Sequence, residues 1–131
     1  MADKKIVFLD IDGTFTVPLE KPTELALRAV REARKNGHRV LISTGRNMPI
    51  VSEDVLEAGF DGIVASAGRH IEIDGKVIRD SVLPEKTIQR CLEIFHQFGI
   101  YCRIESPEGI YIDGSLQKIL MSAAAELSNS E

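Results

Sequence analysis

Strand-like and helix-like patterns alternate along residues 5–66, and few folds can accommodate that order. The run from Lys5 to Leu9 is apolar on both faces, which is typical of a strand buried in a parallel sheet. The later segments are a helix over 21–37, a strand over 38–44, a helix over 48–59 and a strand over 62–66. Because crossover helices join parallel strands, this order predicts an α/β protein with a doubly wound parallel sheet and helices on both faces.

The pattern changes after residue 66. Residues 70–81 alternate apolar and polar side chains around Asp74-Gly75, which predicts a two-stranded hairpin. The remaining segments are a helix over 84–99, strands over 100–106 and 109–114, and a helix from Leu116 to Leu127. With 131 residues the chain can hold one sizeable core. We therefore expect two parts, an α/β core over 1–66 and a hairpin with α+β structure over 67–131.

Composition excludes several classes of protein. The net charge is −4, with 16 Lys and Arg against 20 Asp and Glu, and no long basic run, so we expect no nucleic-acid partner. No apolar segment is long enough for a membrane span, and Asp10 and Asp12 interrupt the only run that resembles a signal segment. These features predict a cytoplasmic protein without a membrane partner. Cys91 and Cys102 lack metal-ligand or redox spacing and are expected to be reduced core thiols.

The first strand ends in DIDGT, residues 10–14. Strand periodicity places Asp10 and Asp12 on one side and turns Ile11 away. In open parallel sheets ligands bind at this end of the strands, and Gly13 lets the backbone N–H approach a ligand closely. Two adjacent carboxylates repel each other unless a cation lies between them, and hard oxygen ligands favour Mg²⁺. The acidic pair therefore predicts a magnesium site.

The second strand ends in STGR, residues 43–46. The hydroxyl of Thr44, the N–H of Gly45 and the cation of Arg46 are groups that suit a phosphate dianion. Because adjacent parallel strands end at the same edge of a sheet, we expect this turn to share a pocket with Asp10 and Asp12. The two motifs together indicate a metal-assisted site for an anionic substrate.

DIDGT followed by STGR resembles the first two signature motifs of the haloacid dehalogenase superfamily of phosphohydrolases. Residues 66–95, SAGRHIEIDGKVIRDSVLPEKTIQRCLEIF, resemble the entry into the C2-type cap of its Cof-type, sugar-phosphatase-like branch. The resemblance implies a partial Rossmann-like core followed by part of an α+β cap. It also implies Mg²⁺-dependent hydrolysis of a phosphomonoester, with a sugar phosphate or similar small phosphorylated metabolite as substrate.

The resemblance also implies roles for individual residues. Asp10 would be the nucleophile that forms an aspartyl phosphate, and Asp12 would be the general acid and base, with its carbonyl on Mg²⁺. The phosphate-binding groups would be Gly13, Thr44, Gly45 and Arg46, with Arg46 contacting substrate or supporting the loop.

Three departures from the family pattern limit the expected activity. The family carries a later lysine and a later acidic motif that we do not find here, and Lys118 falls in a predicted cap helix. Ala67-Gly68 replaces a usual Asn-Gly pair. We expect little or no turnover unless another chain completes the site.

Two other classes of function stay open. The chain could be a non-catalytic fragment or assembly partner that forms a homo-oligomer through an unsatisfied sheet edge. A receiver-type phospho-accepting domain is disfavoured, since Ser66 stands where an acceptor Asp is required and the hairpin breaks the α/β alternation.

Overall fold

The structure is a computed structural model that describes residues 3–18, 20–112 and 114. The chain divides into two compact units, Met1–Ser81 and Val82–Glu131. The helix expected from Leu116 to Leu127, with Lys118 in it, lies outside the described residues.

A five-stranded mixed sheet organises the first unit. Its strands are β1 (Ile6–Leu9), β2 (Arg39–Ser43), β3 (Gly62–Ala65), β4 (His70–Ile73) and β5 (Lys76–Asp80), in the spatial order β1-β2-β3-β4-β5. The first three strands are parallel, β4 pairs antiparallel with β3, and β5 pairs antiparallel with β4. The α/β class and all five strands are as predicted, but the sheet is mixed rather than wholly parallel.

Two α-helices pack on this sheet, α1 (Glu24–Lys35) and the short α2 (Glu53–Leu56). Thr23 caps α1 by accepting a hydrogen bond from the Ala26 N–H at 3.2 Å. The buried side chains of both helices share one cluster with Val40 and Ile42, which lie on the same face of β2. Within the described part of the first unit, the helices therefore cover one face, whereas the sequence predicted helices on both.

Strand β1 differs from its prediction. It lies at the edge of the sheet and, among the described residues, pairs only with β2. Ile6 is 64% exposed and Phe8 61%, and Val7 on the opposite face is also exposed. The apolar pattern on both faces is present, but the burial that we expected from it is not, because no described element covers these side chains.

The hairpin of β4 and β5 extends the core sheet. β4 pairs with β3 along its whole length, from Ala65 opposite His70 to Gly62 opposite Ile73. The two backbones approach so closely that a Cβ on Gly62 would lie 2.5 Å from the Glu72 carbonyl oxygen. Because of this pairing, the hairpin belongs to the first compact unit, which ends at Ser81.

The second unit contains α3 (Glu85–Gln97) and a two-stranded antiparallel sheet of β6 (Arg103–Ser106) and β7 (Gly109–Ile112). These elements match the predicted helix and strands. Cys91 and Cys102 are free thiols, as expected, but they are half-buried and not core residues. Among the described residues, no helix is both long and apolar enough to cross a membrane.

Candidate active site

A tight turn follows β1 and presents the acidic pair. Ile11 is completely buried, whereas Asp10 and Asp12 on either side of it are exposed. The Ile11 carbonyl accepts hydrogen bonds from the N–H groups of Phe15 and Thr16, at 3.1 and 2.9 Å. The buried side chain and these backbone bonds fix where the two carboxylates leave the sheet.

Gly13 shapes this turn. Its φ is +78°, a conformation that side-chain-bearing residues rarely adopt. Its N–H donates to the Thr16 carbonyl at 2.8 Å. The structure therefore gives Gly13 a role in the turn itself, and the N–H that the sequence assigned to a phosphate is already engaged.

An aromatic pair anchors the same turn in the core. Phe15 is 6% exposed and meets Phe60 edge to face, with ring centroids 5.4 Å apart. Phe60 lies between α2 and β3, so this contact ties the first loop to the part of the chain that leads into the third strand.

The second predicted motif follows β2. The Thr44 N–H donates to the Val64 carbonyl at 2.9 Å, which continues the sheet pairing beyond β2. Thr44 is buried, and its Oγ1 accepts a hydrogen bond from the Arg46 N–H at 3.1 Å. A hydroxyl that accepts one bond can still donate its proton, so Thr44 remains able to bind an anion. Gly45 is exposed, and no atom lies within 4 Å of the position its Cβ would take.

Arg46 joins the two motifs. Its Nε donates to Asp12 Oδ2 at 2.8 Å and its Nη2 to Asp12 Oδ1 at 2.5 Å, a bidentate ion pair across 34 positions of sequence. Its Nη1 also donates to the Ile50 carbonyl at 3.3 Å. The predicted neighbourhood of the DIDGT and STGR turns is therefore present, and it is held by a contact that sequence reasoning did not name.

The ion pair sets the charge state of the site. The Arg46 hydrogen bonds hold the pKa of Asp12 below its usual 3.8. The same bonds raise the pKa of Arg46, with a smaller contribution from the nearby Asp10 carboxylate. The ion pair therefore stabilises the anionic form of Asp12.

The donor set can be compared with the requirements of Mg²⁺. In the part of the chain that the structure describes, no group of three or more His, Cys, Asp or Glu side chains comes together. Asp10 and Asp12 supply two hard carboxylates at an exposed turn, of which that of Asp12 is shared with Arg46, and Mg²⁺ commonly binds one or two carboxylates together with water and substrate phosphate. The residues present therefore fit Mg²⁺ as the protein share of such a shell.

The loop after β3 supports the turn at Thr44 and Arg46. Sequence reasoning had noted this loop only for its Ala67-Gly68 pair. The Ser66 N–H donates to the Arg46 carbonyl at 2.8 Å, and the Ala67 N–H to the Thr44 carbonyl at 3.2 Å. Ser66 and Ala67 both have left-handed backbone conformations, with φ of 49° and 51°. Such strain in residues other than glycine persists where surrounding contacts enforce it, often beside functional sites. The only sequence signal for this loop was Ala67-Gly68, where the family pattern usually has Asn-Gly.

Comparison with known proteins agrees with these motifs. A profile of haloacid dehalogenase-like hydrolases matches residues 7–130. YkrA from Bacillus subtilis strain 168, which is named provisionally as a phosphatase, is 32% identical over 91 residues, or 70% of this chain. That match covers 35% of YkrA.

Two solved structures share the fold. The phosphatase BT1666 from Bacteroides thetaiotaomicron superposes with a TM-score of 0.75 at 22% identity, covering 92% of this chain and 47% of its own. The subclass IIB sugar phosphatase BT4131 gives a TM-score of 0.71 at 22% identity, covering 90% of this chain and 48% of its own. The chain thus spans about half the length of these solved proteins or less.

Proposed function

Because the chain belongs to the haloacid dehalogenase-like hydrolase family, we propose that its site serves Mg²⁺-dependent hydrolysis of a phosphomonoester through an aspartyl phosphate. The likeness to a sugar phosphatase favours a sugar phosphate or another small phosphorylated metabolite as substrate. The observation that carries this proposal is the Asp12–Arg46 ion pair, because it fastens the acidic turn to the predicted phosphate-binding turn.

Asp10 is the proposed nucleophile. Its carboxylate is exposed, and Asp12, with its pKa lowered by Arg46, is a second anion two positions along the turn. In the first step a carboxylate oxygen of Asp10 forms a bond to phosphorus while the bond from phosphorus to the substrate oxygen breaks. In the second step water attacks the phosphorus, releases phosphate and restores the Asp10 carboxylate.

Asp12 is the proposed proton-transfer group. While Arg46 holds it as an anion, Asp12 can accept a proton from the attacking water. To protonate the leaving oxygen in the first step, Asp12 must first take up a proton from solvent, and release of its carboxylate by Arg46 would remove the contact that opposes this uptake. A phosphate dianion is an alternative partner for the same guanidinium, so substrate binding at Arg46 would free Asp12.

The remaining groups bind and orient the phosphoryl oxygens. The Thr44 hydroxyl and the Gly45 N–H lie on the turn next to Arg46, where their dipoles can face charge that spreads over the transferring group. Bound at Asp10 and Asp12, Mg²⁺ would neutralise charge on the phosphate.

The test compares the purified chain with its Asp10→Asn variant on an aryl phosphate, with and without Mg²⁺. A matched control is Asp54→Asn, because Asp54 is a half-buried carboxylate that is also paired with a cation, Lys21. We expect slow Mg²⁺-dependent hydrolysis, or a single phosphoryl adduct detected by mass spectrometry, that is lost only in Asp10→Asn. An adduct or hydrolysis that survives Asp10→Asn would remove Asp10 from the mechanism.

Arg46→Lys tests the supporting role of the ion pair. Lysine keeps the charge but cannot make the two parallel bonds to one carboxylate. We expect adduct formation to slow by at least about tenfold. An unchanged rate would show that the pair does not organise the site.

A further inference from the structure

Arg46 is held along its whole length, from its backbone to its guanidinium. Its N–H donates to Thr44 Oγ1 at 3.1 Å, and its carbonyl accepts from the Ser66 N–H at 2.8 Å. At the far end of the side chain, Nη1 donates to the Ile50 carbonyl at 3.3 Å. None of these three contacts involves Asp12, so the departure of the Asp12 carboxylate removes none of them.

The turn that supplies the Ile50 carbonyl is itself fixed. This carbonyl ends a short 3₁₀ turn, Met48–Ile50, in which Pro49 restricts the backbone. The Val51 N–H closes the turn by donating to the Met48 carbonyl at 3.1 Å. The Val51 side chain is buried in the core cluster, and Met48 packs against that cluster. The proline and the core therefore fix the place of the acceptor that Arg46 uses.

The two partners of the ion pair differ in freedom. The Asp12 side chain is 44% exposed, whereas the Arg46 side chain is 24% exposed. Arg46 also keeps its contact with the Ile50 carbonyl when the pair opens. Asp12 is therefore the partner that moves, and the guanidinium is the partner that stays.

We propose that the Met48–Ile50 turn is a positioning element for oxyanion binding, in which the Ile50 carbonyl keeps the Arg46 guanidinium in place while a phosphate replaces the Asp12 carboxylate. This inference rests on the function proposed above and adds to it the device that orients the arginine. Carboxylate and phosphate both bind two parallel N–H groups of a guanidinium, so one can take the place of the other. Because the side chain is already ordered, binding costs less conformational entropy.

The first experiment measures the affinity for inorganic phosphate by isothermal titration calorimetry, without Mg²⁺, so that only groups of the protein bind. It compares Pro49→Gly with Pro107→Gly, since both prolines are exposed and lie in turns, and glycine loosens the backbone of either turn. We expect phosphate affinity to fall about three- to tenfold in Pro49→Gly and to stay at the wild-type value in Pro107→Gly. Urea titration of both variants measures stability separately. A lower unfolding midpoint in Pro49→Gly with unchanged phosphate affinity overturns the proposal.

Arg46→Met separates this inference from the proposed function. Methionine keeps an unbranched side chain but has no N–H groups for an anion or for the Ile50 carbonyl. We expect Arg46→Met to lose more phosphate affinity than Pro49→Gly does. If Arg46→Met weakens binding and Pro49→Gly does not, the positioning role alone is wrong. If the wild type binds no phosphate, or Arg46→Met binds it as tightly as the wild type, the proposed role of Arg46 in phosphate binding is wrong as well.

Asp12→Asn tests the exchange itself. As an internal competitor for the guanidinium, the Asp12 carboxylate lowers the apparent affinity for any anion that binds there. We therefore expect Asp12→Asn to raise phosphate affinity by about threefold or more, and to raise it less in the Arg46→Met background. An equal gain in both backgrounds would show only relief of charge repulsion and would contradict the exchange.

Discussion

Asp61→Asn is expected to destabilise the first unit by about 2 kcal/mol at pH 7. Asp61 lies in the turn before β3, where its Oδ1 accepts from Arg34 Nη2 of α1 at 2.9 Å. Its Oδ2 accepts from the Val40 N–H of β2 at 2.8 Å. The Asp61 carboxylate therefore links α1 and β2 to the turn before β3. The Asp61 side chain is only 16% exposed.

The magnitude follows from what asparagine can keep. A hydrogen bond to a charged group contributes about 1.5–3 kcal/mol. Asparagine retains one acceptor oxygen, but its NH₂ then faces either the Arg34 guanidinium or the Val40 N–H, so one bond is lost and two donors oppose each other. Partial exposure of Arg34 screens the loss, which places the expected cost near the middle of that range, at about 2 kcal/mol.

The effect should depend on pH in a defined direction. The Arg34 contact, followed by the Val40 N–H, lowers the pKa of Asp61 below its ordinary 3.8. The contribution of Asp61 to the free energy of unfolding is therefore complete above pH 3.8, the ordinary pKa. This contribution is lost as the pH falls through the lower pKa of the folded state. The difference between wild type and Asp61→Asn should stay constant from neutral to mildly acidic pH and shrink below 3.8.

Urea titrations followed by circular dichroism at several pH values measure this difference. Asp74→Asn is the control, because Asp74 is paired with Arg39 but its side chain is 62% exposed, so we expect its effect to be below about 0.5 kcal/mol. A difference for Asp61→Asn that equals the control, or that keeps its size at the lowest pH, would refute the reasoning.

The remaining predictions concern stability measured by the same titrations. Gly62→Ala should cost at least about 2 kcal/mol, since its Cβ would meet the Glu72 carbonyl and the two strands must separate; an unchanged midpoint would contradict the close approach. Ala67→Gly should stabilise by up to about 1 kcal/mol by removing left-handed strain, and a loss would show that the methyl group packs. Thr23→Ala should cost about 1 kcal/mol because the Ala26 N–H loses its cap, whereas Thr23→Ser should be neutral.

Local periodicity was sufficient to predict much of the fold. The strands β1, β2 and β3 follow from apolar runs, and the hairpin turn follows from Asp74-Gly75, whose φ angles of 51° and 72° suit a tight two-residue turn. Helix α1 begins after Thr23 as its capping pattern indicates. These features depend on residues close in sequence, so a pattern can carry them.

Long-range pairing was harder to predict. The hairpin could have formed a separate layer, and only the pairing of β4 with β3 makes it part of the core sheet. Likewise, the apolar pattern of β1 indicates two covered faces, but it does not say which strand or helix covers them. The apolar pattern of a strand indicates which of its faces should be buried. Which elements cover those faces depends on the whole chain and on other chains.

The candidate site shows the same division at the level of single bonds. Adjacent parallel strands must end at one edge, so the meeting of Asp12 with the turn at Arg46 follows from topology alone. Which bond forms there is decided by competition, because a guanidinium beside an exposed carboxylate binds it in the absence of another anion. The sequence assigned Arg46 to substrate or to loop support, and the structure gives it Asp12 and the Ile50 carbonyl. Under the function proposed above, a phosphate would compete for the same donors, so its binding at Arg46 would displace the contact that organises the free site.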